Sequence, residues 1–217
     1  MMRIKSRMSK DVLTVTPNDP ISKAIMIMER EDLHRLPVVE GKRLVGLITK
    51  GMISSRGASK ATSLSIFELN YLLSKTDVKT IMEDEVITID ENDFLEDAAL
   101  KMLQHDIGCL PVMHGENLVG ILTQNDMFTS FIDLLGYGYP GSRVCVQVKD
   151  GKGVLEKVTK IFADADCDIS HIGVYEREAE DTNIIIRIDK EDTKELERAL
   201  ECAGFKVLSV DTNRPKK

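Results

Sequence analysis

At 217 residues, 42% hydrophobic and 30% charged, the chain has the ordinary balance of a globular protein, with length for one large domain or two small ones. A formal net charge of −7 argues against a general binder of nucleic-acid backbones, which would carry a basic face, and no apolar run approaches a membrane span. Four isolated cysteines (Cys109, Cys145, Cys167, Cys202) lack the spacing of a metal site or a disulfide framework, so a cytoplasmic location with reduced thiols is expected.

The N-terminal MMRIKSRMSKDV is polar and has no apolar h-region, so no signal peptide is expected. From Met8 onward the chain repeats itself. Residues 8–53 slide onto 82–127 without a gap, giving sixteen identical pairs that run from Met8/Met82 through Pro37/Pro111 and Gly46/Gly120 to Thr49/Thr123. Such self-similarity decides the architecture before any local signal does.

In the first copy, Val12 to Val15 reads as a short β-branched strand, and Asn18-Asp19 signals a helix start. Ile21, Ala24, Ile25 and Met28 follow at helical spacing. Leu36-Pro37-Val38 is a strand that begins at a proline, where a missing N–H does least harm. A turn at Glu40–Arg43 leads into the strand Leu44–Thr49, whose Gly46 permits a close backbone approach, and a helix is expected after Thr49. Residues 54–80 open as a polar loop and continue as a connector helix with Leu64, Phe67, Leu69, Leu72 and Leu73 on one apolar face.

The second copy repeats this order: strand Val86–Ile89, helix stripe Leu95, Ala98, Ala99 and Met102, strand Leu110-Pro111-Val112, and strand Leu118–Thr123. Gly136–Gly141 is dense in turn formers and marks a boundary. Arg143 to Val148 alternates as a strand with its even-numbered valines on one face, and Val154, Leu155, Val158, Ile161 and Phe162 form a helical stripe. Strands at 169–175 and 183–188, a helix stopped by Gly204, and a last strand at 205–210 complete a βαββαβ order, the ferredoxin-like sandwich.

The β-α-β-β-α copies, with their LPV and LVGxxT motifs, resemble a tandem pair of CBS domains. The fold class expected is therefore α+β: a CBS pair over 1–135 (repeat one 8–55, connector 56–80, repeat two 81–133), a linker at 136–142, a ferredoxin-like domain over 143–210, and a basic tail at 211–217. CBS pairs often bind adenosine ligands between the copies. The resemblance implies that Thr123 and Asp126, in Thr-Gln-Asn-Asp, meet the ribose, while the first copy has Thr49-Lys50-Gly51-Met52 and no acid. It implies that His34 and Arg35, before the first LPV, meet phosphate, while the second copy has Gly108-Cys109. Arginine suits that task through its planar charged fork, and histidine adds a donor whose charge follows pH. The losses are complementary: one complete composite cleft and one degenerate cleft are expected. Leu13, Leu33 and Ile121 match positions of the adenine pocket.

Residues 143–210 resemble an ACT domain, with Asp150-Gly151-Lys152-Gly153-Val154-Leu155 at the loop where the family commonly has D-x-P-G-x-L, and Asp168 where several members have Asn. The resemblance implies dimerisation or amino-acid sensing. The whole order is similar to the acetoin-utilisation protein (AcuB) family. No nucleophile elbow, P-loop or HExxH is present, so a non-enzymatic regulator is expected. It would take AMP, ATP or S-adenosylmethionine as a regulatory ligand, need no obligatory cofactor, form a homodimer, and act on a separate protein. The alternatives are a ligand-free dimerisation scaffold or an accessory subunit of an acetoin- or acyl-metabolising enzyme.

Overall fold

Helical stripes and β-branched runs become elements in the expected order. In the computed structural model, which describes residues 2–61, 66–178 and 181–213, the first copy forms α1 (Ile21–Arg30), β1 (Arg35–Glu40), β2 (Arg43–Thr49) and α2 (Lys50–Ala61), and α3 (Ile66–Lys75) lies in the connector. The second copy forms β3 (Ile89–Asp90), α4 (Leu95–His105), β4 (Cys109–His114), β5 (Asn117–Thr123) and α5 (Gln124–Leu134). Then come β6 (Gly141–Lys149), α6 (Val154–Asp164), β7 (Ile169–Glu178), β8 (Asp181–Ile188), α7 (Lys194–Cys202) and β9 (Lys206–Asn213). The chain divides into two units, Met1–Met127 and Phe128–Lys217.

In the first unit β1 pairs antiparallel with β2 and β4 with β5, and the two hairpins meet edge to edge at Arg43 and Asn117. The strand expected over Val12–Val15 shrinks to a single parallel bridge, Val15 to Val38, and its counterpart to the two residues of β3. Proline explains the loss. Val15 N donates to Pro37 O and Val39 N to Val15 O, and the next bond back would need an N–H on Pro37.

The copies also exchange their leading segments. Ile4, ahead of the first copy, is fully buried with Ile89, Leu95, Met102 and Leu122 of the second. Val78, ahead of the second, is fully buried with Met28, Leu36 and Ile48 of the first. Burying such a side chain contributes about 1.5–3 kcal/mol, so each copy completes the other's core. Gly46 and Gly120 make the exchange possible. A Cβ at Gly46 would lie 2.7 Å from Met82 Sδ, and one at Gly120 would lie 2.5 Å from Met8 Sδ.

Two expectations for the connector change. The polar loop after residue 54 is instead helix, since α2 runs to Ala61. Its Arg, Lys and Ala residues favour helix, and a lone Gly57 costs only about 1 kcal/mol. Of the apolar stripe, Leu73 packs on the first copy's core, while Phe67 is 87% exposed and Leu72 40%. Leu64 and the side chain of Leu69 lie outside the described residues.

The second unit's sheet has the order β7-β8-β6-β9, antiparallel throughout, which is the ferredoxin-like arrangement. Val144, Val146 and Val148 face one way with Ile184, Ile186 and Ile188, and the core is closed by Val158 and Phe162 of α6 and by Leu196 and Leu200 of α7. The turn-rich segment lies against this sheet: Tyr139 stacks on His171 with ring centroids 6.0 Å apart, and its carbonyl accepts from Arg187 Nη2. Of the expected basic tail, 211–213 belong to β9 and 214–217 lie outside the described residues.

Candidate functional site

The turn that leaves α1 delivers half of the site. Asp32 adopts left-handed backbone (φ +50°) and Leu33 N donates to Met28 O at 2.8 Å, so the chain reverses and carries Leu33, His34 and Arg35 to the mouth of β1. Aspartate visits that conformation more readily than bulky residues do. The second copy repeats the turn with Asp106 (φ +52°) and a bond of 3.0 Å from Ile107 N to Met102 O.

An open cleft of about 520 Å³ lies between the copies. Leu13, Leu33, His34 and Arg35 of the first copy line it together with Ile121 and Thr123 of the second. These are six of the seven residues expected at an adenosine ligand. The seventh, Asp126, is not on the lining. Its carboxylate turns onto Thr123: Oδ2 accepts from Thr123 N at 2.8 Å and Oγ1 at 2.7 Å, and Asp126 N donates to Thr123 Oγ1 at 3.3 Å. This is a capping box, which a carboxylate in the first turn of α5 forms because the groups at a helix start lack intrahelical partners. In the first copy Thr49 Oγ1 accepts from Met52 N at 3.1 Å, but methionine has no oxygen with which to return the bond.

Arg35 reaches across to the second copy. A Cβ at Gly108 would lie 3.2 Å from Arg35 Nη2 and 3.2 Å from Gln124 Oε1. Beside it Cys109 is buried, which pushes its thiol above the ordinary range, and the Arg35 guanidinium offsets only part of that rise. Gly108-Cys109 therefore supplies the space that the first copy's arginine occupies.

Ser9, Asp11, Glu31, Asp32, Gln124 and Asn125 also line the cleft and were not foreseen. Adjacency to Leu33 could have flagged Glu31 and Asp32. Ser9 and Asp11 arrive through a bridge between Ser9 and Ile121, which no local pattern announces.

In the second unit, Asp150, Gly151, Lys152 and Gly153 form an exposed loop after β6, and Gly153 enters α6 in left-handed backbone (φ +79°), ahead of Val154 and Leu155. Asp168 does not join them within one chain. Ile169 lies level with Ile188 and Ser142 at the start of β6, whereas the loop follows Lys149 at its end. The separation follows from topology, because β6 and β7 run parallel and α6 spans the sheet between them. A second cleft of about 370 Å³ is lined by Val154, Lys149, Lys157, Asp181 and Lys206 among others. Among the described residues no group of His, Cys, Asp or Glu is placed to hold a metal ion, and no helix is long and apolar enough to cross a membrane.

The CBS-domain family profile matches residues 3–56 and 78–133, and the ACT-domain profile matches residues 143–202. The CBS domain-containing protein YhcV of Bacillus subtilis is 32% identical over 58% of this chain and 84% of its own length. A Vibrio cholerae protein provisionally assigned to acetoin utilisation (AcuB) superposes with a TM-score of 0.54 at 26% identity, over 63% of this chain and 94% of that one. The CBS domain pair of protein MJ0100, solved with 5-methylthioadenosine and S-adenosyl-L-methionine, superposes with a TM-score of 0.50 at 26% identity, over 60% and 99%. Some other curated relatives are longer, and the chain spans 49% and 32% of two from Methanocaldococcus jannaschii.

Proposed function

We propose, on the premise that this chain belongs to the CBS-domain family and carries an ACT domain, that it is a non-enzymatic sensor whose CBS pair binds one adenosine ligand in the cleft at Arg35 and Thr123. The observation that carries this reading is that apolar Leu13, Leu33 and Ile121, from both copies, line one cleft together with a guanidinium and a hydroxyl. Its volume of about 520 Å³ falls within the range of small-molecule sites, roughly 300–1,000 Å³. The MJ0100 pair, solved with adenosine ligands, supports the same class here.

The adenine lies among the three apolar side chains, Thr123 meets the ribose, and Arg35 with His34 meets a phosphate of AMP or ATP. Asp126 acts as a positioning residue that holds the Thr123 hydroxyl. A ligand spanning Arg35 of one copy and Thr123 of the other favours one arrangement of the copies, and it shifts that equilibrium only by its difference in affinity for the two states. A separate regulated protein reads the result. The ACT domain serves dimerisation or amino-acid sensing, and a homodimer is supported by Phe128 and Phe131, each more than half exposed. Four unpaired cysteines support a reducing, cytoplasmic setting.

Calorimetric titration with AMP, ADP, ATP and S-adenosylmethionine, beside Arg35→Ala and Asp126→Ala, tests the reading. One site per chain, weakened by both substitutions, is expected. Two equal sites would overturn the single composite cleft, and silence across the panel would leave a ligand-free scaffold.

A further inference from the structure

We infer that the cleft selects adenosine ligands carrying at most one phosphate and discriminates against di- and triphosphates; this rests on the reading of the cleft just given. The charge of the lining is the first reason. Among the lining residues, all of them described, Arg35 is the one permanent cation, while Asp11, Glu31 and Asp32 are acids. With His34 neutral the lining sums to 1 − 3 = −2. Glu31 pairs with Arg30 at 2.7 Å just outside, and including that arginine still leaves −1.

Valence is the second reason. One guanidinium presents a planar fork that matches the oxygens of one phosphate bidentately. A second or third phosphate would find no further permanent cation on the lining. The helix start that reaches the cleft could otherwise receive an anion, since its N–H groups and dipole favour negative charge. Here the capping box of Thr123 and Asp126 already places a carboxylate at that end of α5. The chain as a whole carries −7, so the long-range field opposes a polyphosphate as well.

The acids are exposed and Arg35 is half-buried. Solvent and salt therefore screen the repulsion between the acids and a polyphosphate more than they screen the contact with Arg35. That contrast gives the discrimination a signature separable from shape: it weakens as ionic strength rises, whereas a steric limit does not.

The test is calorimetric titration of the full chain with AMP, ADP and ATP without divalent cations, at low and high salt, repeated on the Asp11→Asn/Asp32→Asn double variant with its melting temperature recorded. Each added phosphate is expected to weaken binding about threefold, the scale of an exposed charge interaction. The gap should narrow at high salt and in the double variant, with ATP gaining more than AMP. ATP binding as tightly as AMP at low salt would overturn the inference while leaving the adenosine site intact. A gap unchanged by salt and by the double variant would overturn the electrostatic cause. Binding by none of the three, nor by S-adenosylmethionine as a phosphate-free control, would remove the site and this inference together.

Discussion

Arg35 occupies the space in front of Gly108: its Nη2 lies 3.2 Å from where a Cβ on that glycine would stand. Sliding the repeat by 74 makes Gly108 the counterpart of His34 and Cys109 the counterpart of Arg35. The two copies thus differ where Arg35 of the first reaches the cleft that both of them line.

Gly108→Leu should therefore act on binding rather than on folding. The added side chain displaces Arg35 and Gln124, whose flexible ends can move, so the melting temperature should change little. Affinity for AMP should fall about tenfold, the scale of a lost charge-assisted hydrogen bond. Calorimetry beside thermal melting checks both. A large loss of stability with intact affinity would show that Gly108 serves packing instead.

Gly120→Ala should do the opposite. Its Cβ would meet Met8 Sδ at 2.5 Å and Ser9 O at 3.0 Å, and the exchange of leading segments depends on that contact. An overpacked site of this kind costs about 1–3 kcal/mol, measurable by denaturant unfolding. Met8→Ala in the same chain should recover only part of the loss, because the carbonyl at Ser9 remains. Gly46→Ala should behave alike against Met82 and Glu83.

Asp19 ties stability to pH. Burial pushes its carboxyl up, but the Lys23 ammonium at 2.8 Å and the Thr16 N–H at 2.8 Å outweigh burial and hold it below the ordinary 3.8. A carboxyl lowered by folding stabilises at pH above its unfolded value, and that contribution is lost as pH falls through the folded value. Asp19→Asn should lower the denaturant midpoint near neutral pH and leave it unchanged in strong acid. Equal curves at both would remove the role given to the Lys23 pair.

The thiols should react unequally. Cys202 is exposed, whereas Cys109, Cys145 and Cys167 are buried. Burial pushes Cys109 and Cys167 above the ordinary thiol range, with Arg35 and Lys190 pulling the other way and losing. Thiolate is the reactive form, so a colorimetric disulfide reagent should titrate one thiol promptly and the rest only after unfolding. Prompt reaction at Cys109, mapped by mass spectrometry, would mean that the start of β4 opens.

The repeat, the order of elements and the ferredoxin-like module are legible in the residues alone. Apolar spacing at Ile21, Ala24 and Met28, or alternation at Val144, Val146 and Val148, reports which face of one segment is buried, and that is a local property. The resemblance to CBS domains pointed to His34, Arg35 and Thr123 through the motifs that carry them. What those residues meet is set by how distant segments come together. Ser9 and Asp11 join the cleft through pairing with Ile121, and Ile4 closes the other copy's core. Asp168 likewise lies across the sheet from its expected loop. Each of these depends on pairing between segments far apart in the chain, and residue spacing within a segment carries no record of its distant partner.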